Sequence, residues 1–309
     1  MRFPAGPSAG RRRKTPARER RARSLAGITM AAPAVLLFTT MMVVPLLLLL
    51  YLSFTNWDGY SPNPGWVGLA NYRRVFDDPE VARAAFVTGV IALAGTIGQN
   101  VLGLGFAVLL NGAARANAFF RAVLFYPHVI SALVIGYLWA AILGPEGAAN
   151  AVLSTLGAAG APFLSDPRFA LASVVVVILW TGFGVNVVLY LAGLQTVPAS
   201  LIEAARVDGA GRWQTFRQVT VPLIAPVVTL NIVLVLIQLL RTYDLVRALT
   251  AGGPAGRTQT MAYLILASSF DRAALGLGAA QAVLLLVVSA ALALFVIGLR
   301  RRAEQAALL

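Results

Sequence analysis

Six long stretches of the chain contain no charged side chain, and most of their residues are apolar. A helix needs about 20 such residues to cross the hydrocarbon core of a bilayer. Backbone polar groups in lipid must bond within their own segment, so stretches of this kind span the membrane as helices. The stretches are 24–57, 84–114, 122–145, 169–202, 218–240 and 273–299. The pattern therefore predicts an all-α membrane protein with six transmembrane helices.

Basic residues predict how these helices are oriented. Of the 309 residues, 25 are lysine or arginine and 12 are acidic, and loops rich in lysine and arginine stay on the cytoplasmic side. Most of the basic residues lie on one side if both termini are cytoplasmic, in 1–24, 203–217 and 300–302. We therefore expect an N-in, C-in, multi-pass chain in the cytoplasmic membrane. A further uncharged segment, 147–165, is rich in glycine and alanine and is expected to be an external connection.

The residue types that are rare or missing exclude several functions. There is no cysteine and one histidine, so disulfides, thiolate metal sites and two-histidine zinc sites are excluded. The one lysine, Lys14, lies in an arginine run, so the chain has no P-loop lysine for ATP. No nucleophile lies beside a base, and we expect no enzymatic activity, metal or cofactor. The basic run 11–23 adjoins a predicted span and lacks interleaved aromatic residues, which favours the lipid bilayer over nucleic acid as its partner.

A polar island, 200–222, interrupts the apolar sequence between the fourth and fifth predicted spans. Ser200 followed three residues later by Glu203 predicts a capping box and a helix that begins at Leu201. Gly209 supplies a position where φ can be positive, as the end of a helix often requires. The island therefore begins with a short helix that ends near this glycine.

A second short helix is expected over 212–219. Trp213 and Phe216 are three residues apart, so they share a face of this helix. Pro222 would end it where the next apolar run begins. Two short helices between two spans form a projection that a soluble partner can bind.

Among the amide side chains at membrane depth in the predicted spans, four are candidate solute contacts, because sugars need such hydrogen-bonding groups. They are Gln99, Asn186, Asn231 and Gln238. Polar groups within a span face a cavity or the bundle interior, so these amides line a solute pathway or join helices. Arg241 shares a helical stripe with two of them and could pair with Asp244. His128 has no acidic neighbour in sequence, which favours packing over a proton relay.

The polar island also carries a recognisable motif. It reads Glu203-Ala204-Ala205, three residues, Gly209, and then Val219-x-Val221-Pro222. This arrangement resembles the EAA loop of the permease subunits of ABC importers, in the maltose-type carbohydrate branch. The GLANY segment at 68–72 and WAAILGPEGAAN at 139–150 are similar to segments of the same family.

The resemblance implies an ABC type I importer permease fold with cytoplasmic coupling helices. It implies four kinds of partner: a second homologous permease subunit, two cytoplasmic ATPase subunits, an extracytoplasmic solute-binding protein and the bilayer. The roles implied for the loop concern docking to the ATPase. Glu203 would cap the coupling helix, Ala204 and Ala205 would allow close contact, Gly209 would make the turn, and Pro222 would close the loop.

These features predict a permease subunit that moves a sugar or polyol-type solute, driven by ATP hydrolysis in partner subunits. The alternative is an ion-coupled secondary carrier, which would place acidic residues near the bilayer midplane and show internal repeats. The expected divisions are a basic cytoplasmic tail, a first span with its external loop, a permease core and a C-terminal tail. Their bounds are 1–24, 25–83, 84–299 and 300–309.

Overall fold

The computed structural model describes residues 30–111 and 115–306, so the predicted basic tail at 1–24 lies outside the described residues. The described chain is mostly helical. In chain order its helices are α1 (Met30–Leu52), α2 (Ala70–Asp77), α3 (Pro79–Leu109), α4 (Arg115–Val129), α5 (Ala132–Leu143), α6 (Ala148–Thr155), α7 (Pro167–Gln195), α8 (Ala199–Val207), α9 (Arg212–Leu223), α10 (Ala225–Leu240), α11 (Asp244–Leu249), α12 (Met261–Asp271) and α13 (Leu275–Ala306).

Five described segments are long and apolar enough to cross a membrane. They are α1, α3, α7, the first 25 residues of α13, and Ala132–Thr155, which contains α5 and α6. Helices α9 and α10 pass the same test together, although they are bent by 69°. The described chain therefore has five helices that can span, or six if the bent pair forms one span.

The contacts divide the chain into two units, 1–51 and 52–309. The described part of the first unit is helical and contains a π-helical turn at Thr39–Val43. Pro45 lies two residues after this turn, beyond Val44. A proline has no N–H and its ring crowds the preceding turn, so a wider turn just before it relieves the helix.

In the second unit, α3 and α7 run parallel. A Cβ atom on Gly95 would lie 3.6 Å from Ile178 Cγ2, and the backbone of Asn186 approaches Gly103 in the same way. Positions on the two helices therefore rise together, and both helices start at the same end of the bundle. The segment between them must return the chain to that end.

Helix α10 runs in the opposite direction. Leu239, near the end of α10, packs on Gly95 of α3. Asn231, in the first half of α10, bonds Asn100, which lies further along α3. The start of α10 thus lies at the end where α3 and α7 finish. Helices α8 and α9, which join α7 to α10, lie at that end.

Helices α3 and α7 begin in the same way. Asp78 accepts a hydrogen bond from the N–H of Glu80 at 2.8 Å, and Asp166 accepts one from Arg168 at 2.7 Å. A proline follows each aspartate at the first helical position, where its missing N–H costs nothing. The capping residues therefore fix where these two helices start.

Apolar side chains spaced three and four apart hold α3, α7 and α10 together. The buried cluster includes Val87, Ile91, Val174, Val177, Ile178, Val235 and Leu239. A glycine allows close approach within it, because Leu239 and Ile178 of this cluster fill the space beside Gly95. This core lies next to the four predicted amides.

The third predicted span, 122–145, is not one continuous helix. Helix α4 ends at Val129, and α5 begins at Ala132 after Ser131, whose ψ of 135° is not helical. The break therefore lies at Ile130 and Ser131, three and four residues after Pro127, which is itself inside α4. The predicted connection 147–165 also differs in detail, because it contains α6.

Candidate functional site

Helices α8 and α9, which we call the knob, occupy the predicted polar island. Gly209 lies between them with φ of +84°, which confirms the predicted turn. In α9 the ring centroids of Trp213 and Phe216 are 5.6 Å apart, as their spacing predicted. The knob connects the end of α7 to the start of α10.

The predicted capping box of Ser200 and Glu203 does not form. Helix α8 begins at Ala199, its N-cap is Pro198, and no side chain caps it. The ψ of Pro198 is 126°, so the chain turns into the helix directly after this proline. Ser200 consequently lies inside the first turn instead of at the boundary, and the prediction of a start at Leu201 was wrong.

Pro222 does not end its helix either. A π-helical turn spans Phe216–Thr220, and the helix continues through Pro222 to Leu223. The π turn already departs from the usual hydrogen-bond ladder, so the missing N–H of the proline is tolerated. The break falls instead at Ile224, which is fully buried.

The knob exposes large apolar side chains. The exposed fractions are 87% for Val207, 71% for Trp213 and 44% for Leu201. Glu203 and Ala204 are exposed beside them, and Ala205 is half-buried. Exposed apolar residues that lie together mark interaction sites. Val207 was not predicted as part of this surface, although it is an apolar residue three positions after Ala204.

The four predicted amides fall into two environments. Gln99, Asn186 and Asn231 have exposed fractions of only 5%, 2% and 1%, whereas Gln238 is exposed. Three of the four therefore lie in the helix interface, and one lies on an open surface.

The first pair of buried amides joins α3 to α7. Gln99 Nε2 donates to the carbonyl oxygen of Ile178 at 2.9 Å, and Asn186 Nδ2 donates to Gln99 Oε1 at 3.4 Å. Gly182 lies against the Gln99 amide, where a Cβ atom would overlap it. The amide group of Gln99 is thus held on three sides.

A second set of buried polar groups joins α3, α7 and α10. Asn231 Nδ2 and the hydroxyl of Tyr190 both donate to Asn100 Oδ1, at 3.2 and 2.5 Å. Asn100 was expected only as an amide of the helix interface and not of the pathway, and Tyr190 was not predicted. A tyrosine in an apolar helix carries no periodic signal that distinguishes it from a core aromatic residue.

A cavity of about 270 Å³, which we call the amide cavity, lies beside this core. Its polar lining includes Gln99, His128, Thr181, Gln238, Arg241 and Asp244. These side chains come from α3, α4, α7, α10 and α11, except that of Arg241, which follows α10 directly. The fold therefore brings two of the predicted pathway amides, Gln99 and Gln238, to one cavity. A histidine and an aspartate that are far apart in sequence line the same cavity.

Arg241 and Asp244 do not form the suggested ion pair. Among the described residues the salt bridge is Arg272 with Glu80, at 2.7 Å. Arg241 and Asp244 are instead exposed at the amide cavity. They add a strong donor and a strong acceptor to its wall. Within residues 30–111 and 115–306, no three histidine or acidic side chains lie together as metal ligands.

A second cavity, of about 940 Å³, lies beyond the amide cavity, and we call it the groove. Residues of α5 from Tyr137 onward and the segment 247–251 line it. Helices α5 and α11 pack together between the two cavities. The contact is close because Gly136 lies against Ala248 and Leu245, and a Cβ atom at 136 would overlap the methyl group of Ala248.

Comparison with known proteins places these features in a family. Residues 99–305 match the family described as binding-protein-dependent transport system inner membrane component. The match includes all residues of the knob and all four predicted amides.

Individual proteins agree with this match. The chain is 30% identical over 273 residues to the probable starch degradation products transport system permease protein AmyD of Thermoanaerobacterium thermosulfurigenes, covering 88% of this chain and 93% of that protein. It is 33% identical over 267 residues to the sulfoquinovosyl glycerol transport system permease protein SmoG of Agrobacterium fabrum, covering 86% and 87%.

A solved structure shares the fold. One chain of a bacterial ABC transporter involved in the import of the acidic polysaccharide alginate superposes with a TM-score of 0.80 at 22% identity. The superposition covers 92% of this chain and 98% of that chain. As the sequence predicted, the chain belongs to the binding-protein-dependent transport system inner membrane components, the non-enzymatic permease subunits of ABC importers.

Proposed function

We propose that this permease subunit moves a sugar or polyol-type compound across the cytoplasmic membrane. Two relatives are named for starch degradation products and for sulfoquinovosyl glycerol, which supports a carbohydrate solute. The amide cavity supports it as well, since Gln99, Gln238, Arg241 and Asp244 offer both donors and acceptors. A hydroxyl-rich solute needs both kinds of partner.

The proposed solute pathway uses the four amides in two ways. Gln99 and Gln238 line the amide cavity and are placed to contact solute. Asn186 and Asn231 lie behind the wall and bond Gln99 and Asn100. The pathway is therefore an amide-lined surface with a second row of amides supporting it.

The proposed assembly contains a second homologous permease subunit, two cytoplasmic ATPase subunits and an extracytoplasmic solute-binding protein. The chain would span the membrane six times with both termini cytoplasmic, with a tail at 1–24, a first span and external loop at 25–83, a core at 84–299 and a C-terminal tail at 300–309. The distribution of basic residues supports this orientation.

The knob is the proposed site of coupling to the ATPase, and its exposed apolar surface carries this assignment. Val207 and Trp213 are largely exposed at the junction of α7 and α10. In the proposed contact Glu203 and the small Ala204 and Ala205 lie at the docking face. Gly209 sets the angle between α8 and α9, and Pro222 lies where α9 approaches the bend.

Force on the knob would reach the solute site through two helices. Helix α7 ends four residues before α8 and lines the amide cavity with Thr181 and Gly182. Helix α10 follows the bend at Ile224 and lines the cavity with Gln238. Closure of the ATPase dimer would thus move both walls of the cavity.

Two substitutions at neighbouring glycines test the coupling. Gly209 has φ of +84°, whereas Gly211 has φ of −68°, and no atom within 4 Å would meet a Cβ at either. A left-handed backbone costs a β-branched residue about 1–2 kcal/mol or more. Gly209→Val should therefore distort the knob and reduce uptake by about tenfold in the reconstituted transporter, and Gly211→Val should transport normally.

Membrane insertion and assembly of both variants are measured alongside uptake, by size-exclusion chromatography and ATPase stimulation by the loaded binding protein. Gly209→Val should insert normally but lose the stimulation. Equal uptake by the two variants would contradict coupling through the knob.

A further inference from the structure

We propose that Gln99 is the specificity-determining contact of the amide cavity, and that Asn186 and Gly182 are the residues that position it. The proposal rests on the proposed function, because it concerns the same solute site. It assigns different tasks to the two amides. Gln99 contacts the solute, and Asn186 acts only through Gln99.

The carbonyl oxygen of Ile178 fixes which way the Gln99 amide faces. It accepts from Gln99 Nε2 at 2.9 Å and from the hydroxyl of Thr181 at 3.0 Å. A carbonyl only accepts, so the nitrogen end of the amide must face it. Gln99 Oε1 then faces the other way, where Asn186 Nδ2 donates to it at 3.4 Å.

This arrangement leaves one donor and one acceptor of Gln99 for a solute. A carboxamide has two N–H groups and two main acceptor positions, and the two protein contacts use one of each. Gln99 lies in the wall of the amide cavity although only 5% of it is exposed. A buried amide of fixed orientation rejects a solute that lacks the matching hydroxyl, because the amide would stay unpaired.

Gly182 makes room for this fixed amide. A Cβ atom at 182 would overlap Nε2, Cδ and Oε1 of Gln99. These atoms are the far end of a flexible side chain, so an added methyl group displaces the amide and leaves the helices in place. The same helix pair offers a matched control, because a Cβ at Gly98 would displace only the side chain of Leu179, which does not line the amide cavity.

The test is uptake by the complete transporter, with its partner subunits and binding protein, in liposomes. The probes are radiolabelled maltose, trehalose and sulfoquinovosyl glycerol. Asn186→Leu and Gly182→Ala should raise the KM for the transported probe by roughly three- to tenfold, the value of one hydrogen bond. They should also change the preference among the probes, with the maximal rate within about twofold. Gly98→Ala should change neither.

The outcomes separate the two proposals. If the wild-type transporter takes up none of the three probes, the carbohydrate assignment fails and the role of Gln99 fails with it. If it takes one up and Asn186→Leu and Gly182→Ala keep its KM and preference, only the role of Gln99 is overturned. A fall in maximal rate at unchanged KM would also overturn it, since a merely structural defect acts in that way. A structure of Gly182→Ala should show the Gln99 amide displaced from Ile178.

Discussion

At the scale of single residues, three amide side chains are buried in helix interfaces, at positions where apolar side chains would also pack. Each of Gln99, Asn186 and Asn231 is almost fully buried and bonded. A buried amide without partners costs about 1–3 kcal/mol, and its bonds recover little more than this. Their contribution to stability is therefore small, and they restrict the helices to one register.

Tyr190 offers a test of this estimate. Its hydroxyl donates to Asn100 Oδ1 at 2.5 Å, and its side chain is 1% exposed. Tyr190→Phe should lower the free energy of unfolding by about 1 kcal/mol, measured as a lower melting temperature of the chain in detergent. Tyr126→Phe, at a 65% exposed position, is the control and should melt like the wild type. An unchanged melting temperature for Tyr190→Phe would mean that the hydroxyl contributes nothing.

At the scale of helices, close packing depends on which atoms a glycine faces. Gly182 faces a flexible side chain. Gly184, two residues further along α7, instead faces the backbone carbonyl of Leu124 in α4. A backbone cannot rotate away. The contact between α4 and α7 therefore depends on the glycine at 184.

A pair of alanine substitutions separates these cases. Gly184→Ala must push α4 from α7 and should destabilise the chain by about 1–3 kcal/mol. Gly105→Ala on α3 meets no atom within 4 Å and should leave stability unchanged or raise it by about 0.5–1 kcal/mol, because alanine favours a helix interior over glycine. Thermal unfolding in detergent measures both. Similar melting of the two variants would contradict a close α4–α7 contact.

The sequence predicted a helix end where one residue type decides it. It did not predict a helix start and a bend that depend on the neighbouring backbone. Gly209 was predictable because only the absence of a Cβ makes a positive φ inexpensive. The start of α8 was not, since Pro198 set the entry before Ser200 could cap it. The 69° bend at Ile224 was also missed, although Pro226, in the first turn of α10, is a residue that marks the start of a helix.

At the scale of the whole molecule, the site depends on topology that residue patterns do not contain. The amides at membrane depth were predicted, but their partners were not, since Gln99 meets Asn186 only because α3 and α7 run parallel. The same arrangement places the region around Glu146 and the knob at opposite ends of α7. Positions on the two sides can therefore be tested separately.

The absence of cysteine from the sequence makes this test simple. Glu146→Cys and Asp208→Cys each replace an exposed residue. With the proposed orientation, a membrane-impermeant maleimide should label Glu146→Cys in intact cells and Asp208→Cys only after permeabilisation. The parent chain should remain unlabelled. Labelling of Asp208→Cys in intact cells would place the knob outside and exclude its contact with an ATPase.

The contact of Gly136 with α11 lies between residues that line the two cavities. Ile135 and Leu245 line the amide cavity, whereas Tyr137 and Ala248 line the groove, so the packed helices α5 and α11 form part of the wall between the two cavities. A transporter whose pathway is open to both sides of the membrane at once lets accumulated solute flow back down its concentration gradient, and the energy of ATP hydrolysis is lost. Because Gly136 has no Cβ atom, α5 can approach α11 closely enough to keep this part of the wall packed.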